Sequence, residues 1–201
     1  MNLVINRIEE TKTQESQTTA LHASFRQSFQ DDIARNAATY GSDHPAVAES
    51  QNALGLFYHH VSHEPEKALS CHVKALKIYK SINSSLSSRQ HAHRLQKEDE
   101  DTIINMGITV TDIGNVQWAR GDYKKAIWAF EDSLAVFIWA GLDDNHPRIV
   151  STQNRLNLLL DSSRERAKSI GSLATMDEID KILMQGTARE LHNCPMDRYC
   201  S

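Results

Sequence analysis

The chain has 201 residues, of which 22 are lysine or arginine and 26 are aspartate or glutamate, so its formal net charge is −4. This charge argues against nucleic acid or an anionic membrane surface as the main partner, because either would attract a basic face. No stretch approaches the roughly 18 consecutive apolar residues of a membrane helix, and the first residues carry charges where a signal peptide needs apolar side chains. We therefore expect a cytoplasmic protein. With only 8 glycines and 4 prolines, the composition favours long helices.

The chain begins with a polar segment and then becomes amphipathic. Residues 1–19 are rich in Thr, Gln and Glu, which predicts a disordered leader. From Ala20 to Tyr40, apolar residues recur every three or four positions, as on one face of an α-helix. Gly41 is expected to end this helix, and we place a repeat domain at residues 20–165.

A first helical hairpin follows. Pro45 predicts a helix start, because the amide hydrogen that proline lacks has no intrahelical partner there. Leu54 and Gly55 share the inner face of this helix, and Ala68 and Ala75 share the inner face of the next one. Small residues on both inner faces indicate that the two helices approach closely.

A polar insertion separates this hairpin from the next. The segment at 84–102 begins SSLSSRQHAHRLQKEDED and has no apolar periodicity. We expect either a loop or an exposed extension of a helix.

The clearest hairpin runs from Val110 to Leu134. Two stretches of helical periodicity are separated by a turn in which Gly121 can adopt positive φ and Asp122 can cap the following helix. Gly114 and Ala126 are the small residues on the facing surfaces.

A helix start later in the chain, at Pro147, repeats the pattern of the one at Pro45. Pro147 precedes Leu156 by nine residues, just as Pro45 precedes Leu54 by nine. Matched offsets of this kind indicate an internal repeat.

Residues 166–201 are predicted to form a capping helix and a loose tail. A capping box at 175–178 begins an amphipathic stretch at 176–192 that could cover the apolar end of a helical stack. The three cysteines, Cys71, Cys194 and Cys200, form no close pair, which argues against a disulfide or a zinc site. We expect Cys71 to be a buried free thiol.

These hairpins resemble the tetratricopeptide repeat, and in particular the repeat of kinesin light chains. The match rests on Gly-x-Asp-His-Pro-x-Val-Ala at 41–48, on Asn-x-Leu-Gly at 52–55 and on Ala-Leu at 75–76, and a looser copy lies at 141–150. The resemblance implies an all-α fold, an α-solenoid of stacked antiparallel helical hairpins with about two full repeats and a half repeat at each end. A long heptad segment, which a kinesin light chain needs to bind its heavy chain, is absent from the sequence.

In such arrays the face of each first helix that points away from its partner helix lines a concave groove. The resemblance therefore implies peptide-binding residues at Asn52, Leu56, His59, Thr111, Asn115, Trp118, Asn154 and Arg155. Asparagines can hydrogen-bond both backbone groups of an extended peptide, and Trp118 would be an aromatic anchor. Arg155 is the one fixed positive charge among them, which is too few for the carboxylate termini and acidic peptides that other arrays bind.

We expect a non-enzymatic module that binds a peptide or a helix of a partner protein. The alternatives are a structural scaffold that assembles into a homo-oligomer, and a regulatory subunit of an enzyme. His59 and His63 have the spacing of metal ligands on a helix, but no carboxylate or cysteine pair accompanies them at a matching offset, so we predict neither a metal nor a cofactor. The sequence contains no phosphate-binding loop and no nucleophile elbow.

Overall fold

The computed structural model describes residues 2–87 and 97–169, with side chains described at 17–84 and 99–165. This part of the chain forms six α-helices and no strand. They are α1 Asn2–Tyr40, α2 Pro45–His60, α3 Pro65–Ser87, α4 Lys97–Ala119, α5 Tyr123–Trp139 and α6 Pro147–Ser169. Each helix packs against the next one along the chain, and α2 also contacts α4. The prediction of an all-α fold is confirmed.

Proline begins two of these helices, as predicted. α2 begins at Pro45 and α6 at Pro147. In each case the Nδ1 atom of the preceding histidine accepts a hydrogen bond from the backbone N–H of the second helical residue, at 3.2 Å for His44 and 3.3 Å for His146. The His-Pro pair therefore supplies both a cap acceptor and a first residue that needs no partner for an amide hydrogen.

Glycines end two helices where the sequence predicts it. Gly41 follows α1 with φ +96°, and Gly121 lies between α4 and α5 with φ +81°, a conformation that disfavours a side chain. Asp122 occupies the N-cap position of α5, but its side chain makes no capping hydrogen bond. Its carboxylate lies 3.7 Å from Lys125 Nζ instead.

The first helix is longer than predicted. α1 begins at Asn2, so the leader that we expected to be disordered is helical. Residues 1–19 contain neither glycine nor proline, and so nothing in the sequence interrupts a helix that extends backwards from the amphipathic segment. That segment packs on α2, where the rings of Phe29 and Phe57 lie 5.6 Å apart between centroids.

The ends of the insertion at 84–102 are helical. α3 continues to Ser87 and α4 already begins at Lys97, so both described ends of the insertion extend the neighbouring helices. Residues 88–96 lie outside the described part. Ile103 is 1% exposed, so the core of the second hairpin begins directly after the insertion.

Rings packed on glycines bring the helices of each hairpin together. A Cβ atom built on Gly114 would lie 2.7 Å from the ring of Phe130, and one built on Gly55 would lie 2.6 Å from the ring of His72. Both distances are far below van der Waals contact, so neither glycine has room for a side chain. The two close approaches predicted from small residues are therefore present.

Replacement of Gly114 by alanine should destabilise the protein by about 1–2 kcal/mol, although alanine is normally the better helix former by about 1 kcal/mol. The added Cβ would meet the ring of Phe130, a residue that is 0% exposed, so one of the two helices or the ring would have to shift within a packed core. Urea unfolding measures the effect. In a Gly114→Ala/Phe130→Leu double variant, the Gly114→Ala step should cost less than it does alone. A single variant as stable as the wild type would contradict the close contact.

α6 differs from α2 on the face that would meet a following helix. Pro147 aligns with Pro45, which places Asn157 where α2 has Gly55. Asn157 is exposed, and its Oδ1 accepts a hydrogen bond from Gln153 Nε2 at 3.3 Å. α6 thus exposes a polar side chain at the position where α2 packs a glycine against α3.

The predicted C-terminal elements lie outside the described residues. These are the capping helix at 176–192 and the cysteines Cys194 and Cys200. Cys71 lies within the described part and is a buried free thiol, as predicted. Among the described helices, none combines the length and the apolar character needed to cross a membrane.

Candidate peptide-binding groove

Three helices, α2, α4 and α6, are joined by polar contacts along one face of the molecule. Asn105 Nδ2 of α4 donates a hydrogen bond to Glu49 Oε1 of α2 at 3.1 Å. Arg155 Nη1 of α6 donates to Asn115 Oδ1 of α4, also at 3.1 Å. We call this surface, which runs from Glu49 on α2 across α4 to Arg155 on α6, the α2–α4–α6 face.

Two cavities open on the α2–α4–α6 face and meet at Asp112 and Arg155. The larger has a volume of about 500 Å³. It is lined by His59, His60, Asp112, Asn115, Trp118, Ala119 and Arg155. The smaller cavity has a volume of about 340 Å³, and its lining includes Ile108 from α4 and Arg148 and Ser151 from α6. Together they form a recess that all three helices border.

The structure brings most of the predicted peptide-binding residues to this recess. His59, Asn115, Trp118 and Arg155 line the larger cavity, and Thr111 lines the smaller one. The side chains from α2, α4 and α6 thus meet although the sequence separates them by up to 96 positions, from His59 to Arg155.

The other three predicted residues line neither cavity. Leu56 is 37% exposed on α2, and Asn154 is exposed on α6. Asn52 is half-buried, and its amide is bonded to other helices rather than directed into the recess. Of the three asparagines predicted to bind a peptide, only Asn115 therefore lines the recess.

Thr111 and Trp118 take part in the packing of the second hairpin. Thr111 is buried, and its Oγ1 lies 2.6 Å from Ser133 Oγ and 3.1 Å from the backbone oxygen of Gly107. The Trp118 ring stands edge-on to Phe130, with 6.4 Å between the centroids. The hydroxyl of Thr111 is thus satisfied within the hairpin, whereas the indole of Trp118 contacts both the core and the recess.

Asn52 ties α2 to two other helices. Its Nδ2 donates a hydrogen bond to Thr109 Oγ1 of α4, and its Oδ1 accepts one from His72 Nδ1 of α3 at 2.9 Å. Thr109 in turn donates to the backbone oxygen of Asn105 at 2.8 Å. Both His72 and Thr109 are 0% exposed. The amide that we expected to hold a peptide is therefore the centre of a buried polar network.

His72 is absent from the predicted set, although the sequence contains a signal for it. His72 follows Ala68 by four residues, as Phe130 follows Ala126 by four, and both rings pack on a glycine. Histidine thus replaces the aromatic residue of the repeat. Burial, together with the charges of two neighbouring histidines of α2, lowers the pKa of His72 to about 4.

Asp112 is a half-buried carboxylate where the two cavities meet. Its Oδ1 lies 3.5 Å from Asn115 Nδ2, which is a weak hydrogen bond. Burial raises the pKa of Asp112 to about 6 and outweighs the opposite effects of the Asn115 hydrogen bond and of the Arg155 and Arg148 charges. The sequence places Asp112 on this face but gives no sign of its burial.

The Asp112→Asn variant should be more stable than the wild type at pH 7 by about 1–2 kcal/mol. Because burial raises the folded-state pKa above the unfolded value, ionised Asp112 destabilises the folded protein above about pH 6. Below pH 3.8, the unperturbed value, the acid is neutral in both states and this penalty is absent. Urea unfolding at pH 7 and pH 3.5 should show a gain that is much smaller in acid. A gain of the same size at both pH values would contradict the assignment.

The histidines near the end of α2 do not form a metal centre in the described part of the chain. No group of three or more His, Cys, Asp or Glu side chains there is placed to hold a metal ion. The His59 ring contacts His60, with centroids 4.4 Å apart, and burial, followed by the charges of His60 and His63, lowers the pKa of His59. His59 is therefore an aromatic part of the recess wall, and its surroundings disfavour the charged form of the ring.

Neither a model of a known protein family nor a curated protein matches this chain, so that the α2–α4–α6 face itself has to indicate the function.

Proposed function

We propose that the protein is a non-enzymatic interaction module of the tetratricopeptide type, whose α2–α4–α6 face is a concave groove that binds a peptide segment of a partner protein. The observation that carries this proposal is the recess between three helices, where two cavities meet at Asp112 and Arg155. Polar groups inside a recess, with the Trp118 indole beside them, can orient a bound segment and bury its side chains. A cytoplasmic location belongs to the same proposal.

The packing supports an α-solenoid of the kinesin light chain type. The ring-on-glycine contact recurs in the first and second hairpins, at Gly55 and at Gly114. α2 contacts α4 in addition to its neighbours in sequence, and Asn115 of α4 bonds to α6. Repeated hairpins that stack in this way place their first helices side by side, which is the arrangement that a groove requires.

The proposal is tested by selecting short random peptides from a displayed library against the wild-type protein. The variant Asn115→Ala/Trp118→Ala should bind the enriched peptides at least about tenfold more weakly, since it removes a polar and an aromatic contact. Its matched control is Asn157→Ala/Trp139→Ala, which changes the same residue types at exposed positions away from the recess. This control should bind like the wild type.

Folding has to be separated from binding, because Trp118 also packs on Phe130. Circular dichroism and thermal melting of every variant serve that purpose, and Asn115→Ala alone provides a variant with the core intact. Failure to enrich any peptide, or equal binding by the groove variant, would refute the proposal. A dimer mass for the wild type in light scattering would favour the self-assembling scaffold instead.

A further inference from the structure

Asp112 and Arg155 border the same recess but are kept apart by Asn115. Arg155 donates to Asn115 Oδ1 at 3.1 Å, and Asn115 Nδ2 lies 3.5 Å from Asp112 Oδ1. Within the described side chains, no ion pair joins Asp112 to Arg155. The carboxylate therefore keeps acceptor capacity and the guanidinium keeps several N–H donors for a ligand.

The two groups together define the chemistry of that ligand. A carboxylate only accepts hydrogen bonds and a guanidinium only donates them, so a neutral group that satisfies both must offer a donor and an acceptor side by side, as the N–H and C=O of an amide do. A lone cation would be repelled by Arg155 and Arg148, and a lone anion by Asp112. A neutral amide meets both requirements.

The main chain of an extended peptide supplies such a group. In a strand, the N–H and the C=O of one residue point to the same side, which allows one residue to bond to both members of the pair. In a helix these groups are already bonded within the helix. A helical partner could therefore not use Asp112 and Arg155 in this way.

We propose that Asp112 and Arg155 are an amide-binding pair that hydrogen-bonds the main chain of an extended segment of the partner protein, with Asn115 as the positioning residue that holds the pair apart. This inference rests on the proposed function and narrows it, because it replaces "a peptide or a helix" by an extended peptide. It also assigns the contact with the peptide main chain to Asp112 and Arg155 rather than to Asn115.

The dimensions of the recess agree with an extended occupant. α4 borders it from Ile108 to Ala119, a length of about 16 Å at about 1.5 Å per residue, which corresponds to about five residues of extended peptide. The side chains of such a segment alternate in direction. Those on one side can reach Trp118 at one end and Ile108 at the other, while the main chain passes over Asp112.

The test uses the peptides enriched by the selection, resynthesised with one main-chain amide at a time replaced by an ester. The ester removes the N–H and leaves every side chain in place. At one position of the peptide, the ester should weaken binding to the wild-type protein by about tenfold or more, since the hydrogen bond from the peptide N–H to the charged Asp112 carboxylate is lost. At the same position it should weaken binding to Asp112→Ala by less than about twofold. Asp101→Ala, which removes an exposed carboxylate from the same helix, should respond like the wild type.

Equal ester effects in the wild type and in Asp112→Ala at every position would overturn the inference. A peptide that gains helical circular dichroism on binding would overturn it as well. In either case, the proposed function would still stand if the Asn115→Ala/Trp118→Ala variant failed to bind the same peptides. Asp112→Ala should melt no lower than the wild type, because it removes a carboxylate that burial disfavours. Arg155→Met keeps the aliphatic stem of the side chain. In this variant, the ester at the peptide position that is sensitive to Asp112 should still weaken binding.

Discussion

The protein is expected to lose about 3 kcal/mol of its free energy of unfolding through His72 alone as the pH falls from 6.5 to about 4. The ring has no exposed surface, and burial lowers its pKa from 6.5 to about 4. Between these values the unfolded chain binds a proton that the folded chain does not. The contribution of neutral His72 is therefore fully present above pH 6.5, is lost as the pH falls, and changes no further once the folded state is protonated too.

The hydrogen bonds of His72 explain why the folded protein resists this proton. Nδ1 already carries a hydrogen, because it donates to Asn52 Oδ1 at 2.9 Å. The additional proton would have to bind Nε2, which is buried and has no hydrogen-bond partner in the described structure. The ring also lies directly against Gly55, so that it cannot turn towards water without separating α2 from α3.

Urea unfolding at pH 7, 5.5 and 4 measures this effect against two variants. His72→Gln keeps a donor for Asn52 but does not titrate, so its stability should fall by about 3 kcal/mol less than that of the wild type over this range. Asn157→Ala changes an exposed side chain that does not titrate, and its pH dependence should follow that of the wild type. Equal pH dependence of the wild type and His72→Gln would contradict the buried neutral ring.

Much of the fold could be predicted because it depends on local rules. Proline at Pro45 and Pro147 begins helices through its missing amide hydrogen, and Gly41 ends one through its positive φ. Gly114 marks a close helix contact because it has no side chain to keep the helices apart. The length of α1 could not be predicted from composition, because polar residues without glycine or proline are compatible with either a helix or a disordered segment.

The candidate site was harder to predict, and one position of the repeat shows why. Asn52, Thr111 and Asn154 are equivalent, since each lies two residues before the inner apolar residue of its helix. Asn52 bonds to His72 of α3, and Thr111 bonds to Ser133 of α5. Asn154 is exposed, since no second helix follows α6 within the described residues. The role of this position is decided by the neighbouring helix, which helical periodicity alone does not reveal.

This difference leads to the second large effect, at Asn52. Asn52→Ala should lower the free energy of unfolding by about 2–3 kcal/mol at pH 7. It leaves His72 Nδ1 and Thr109 Oγ1, which are both fully buried, without the hydrogen bonds that Asn52 now provides. Buried polar groups that lose a partner cannot regain it from water, so the loss exceeds the usual value of one hydrogen bond. Urea unfolding measures it directly.

Asn154→Ala is the matched control, because it makes the same substitution at the same position of the repeat. Its side chain is exposed, and the expected change in stability is within about 0.5 kcal/mol. A double variant, Asn52→Leu/His72→Phe, replaces both bonded groups by apolar ones and places in α3 the ring that α5 has at Phe130. It should recover much of the loss, since replacement of both partners leaves fewer polar atoms unsatisfied than removal of one. If Asn52→Ala is instead as stable as the wild type and only peptide binding falls, then Asn52 belongs to the groove after all.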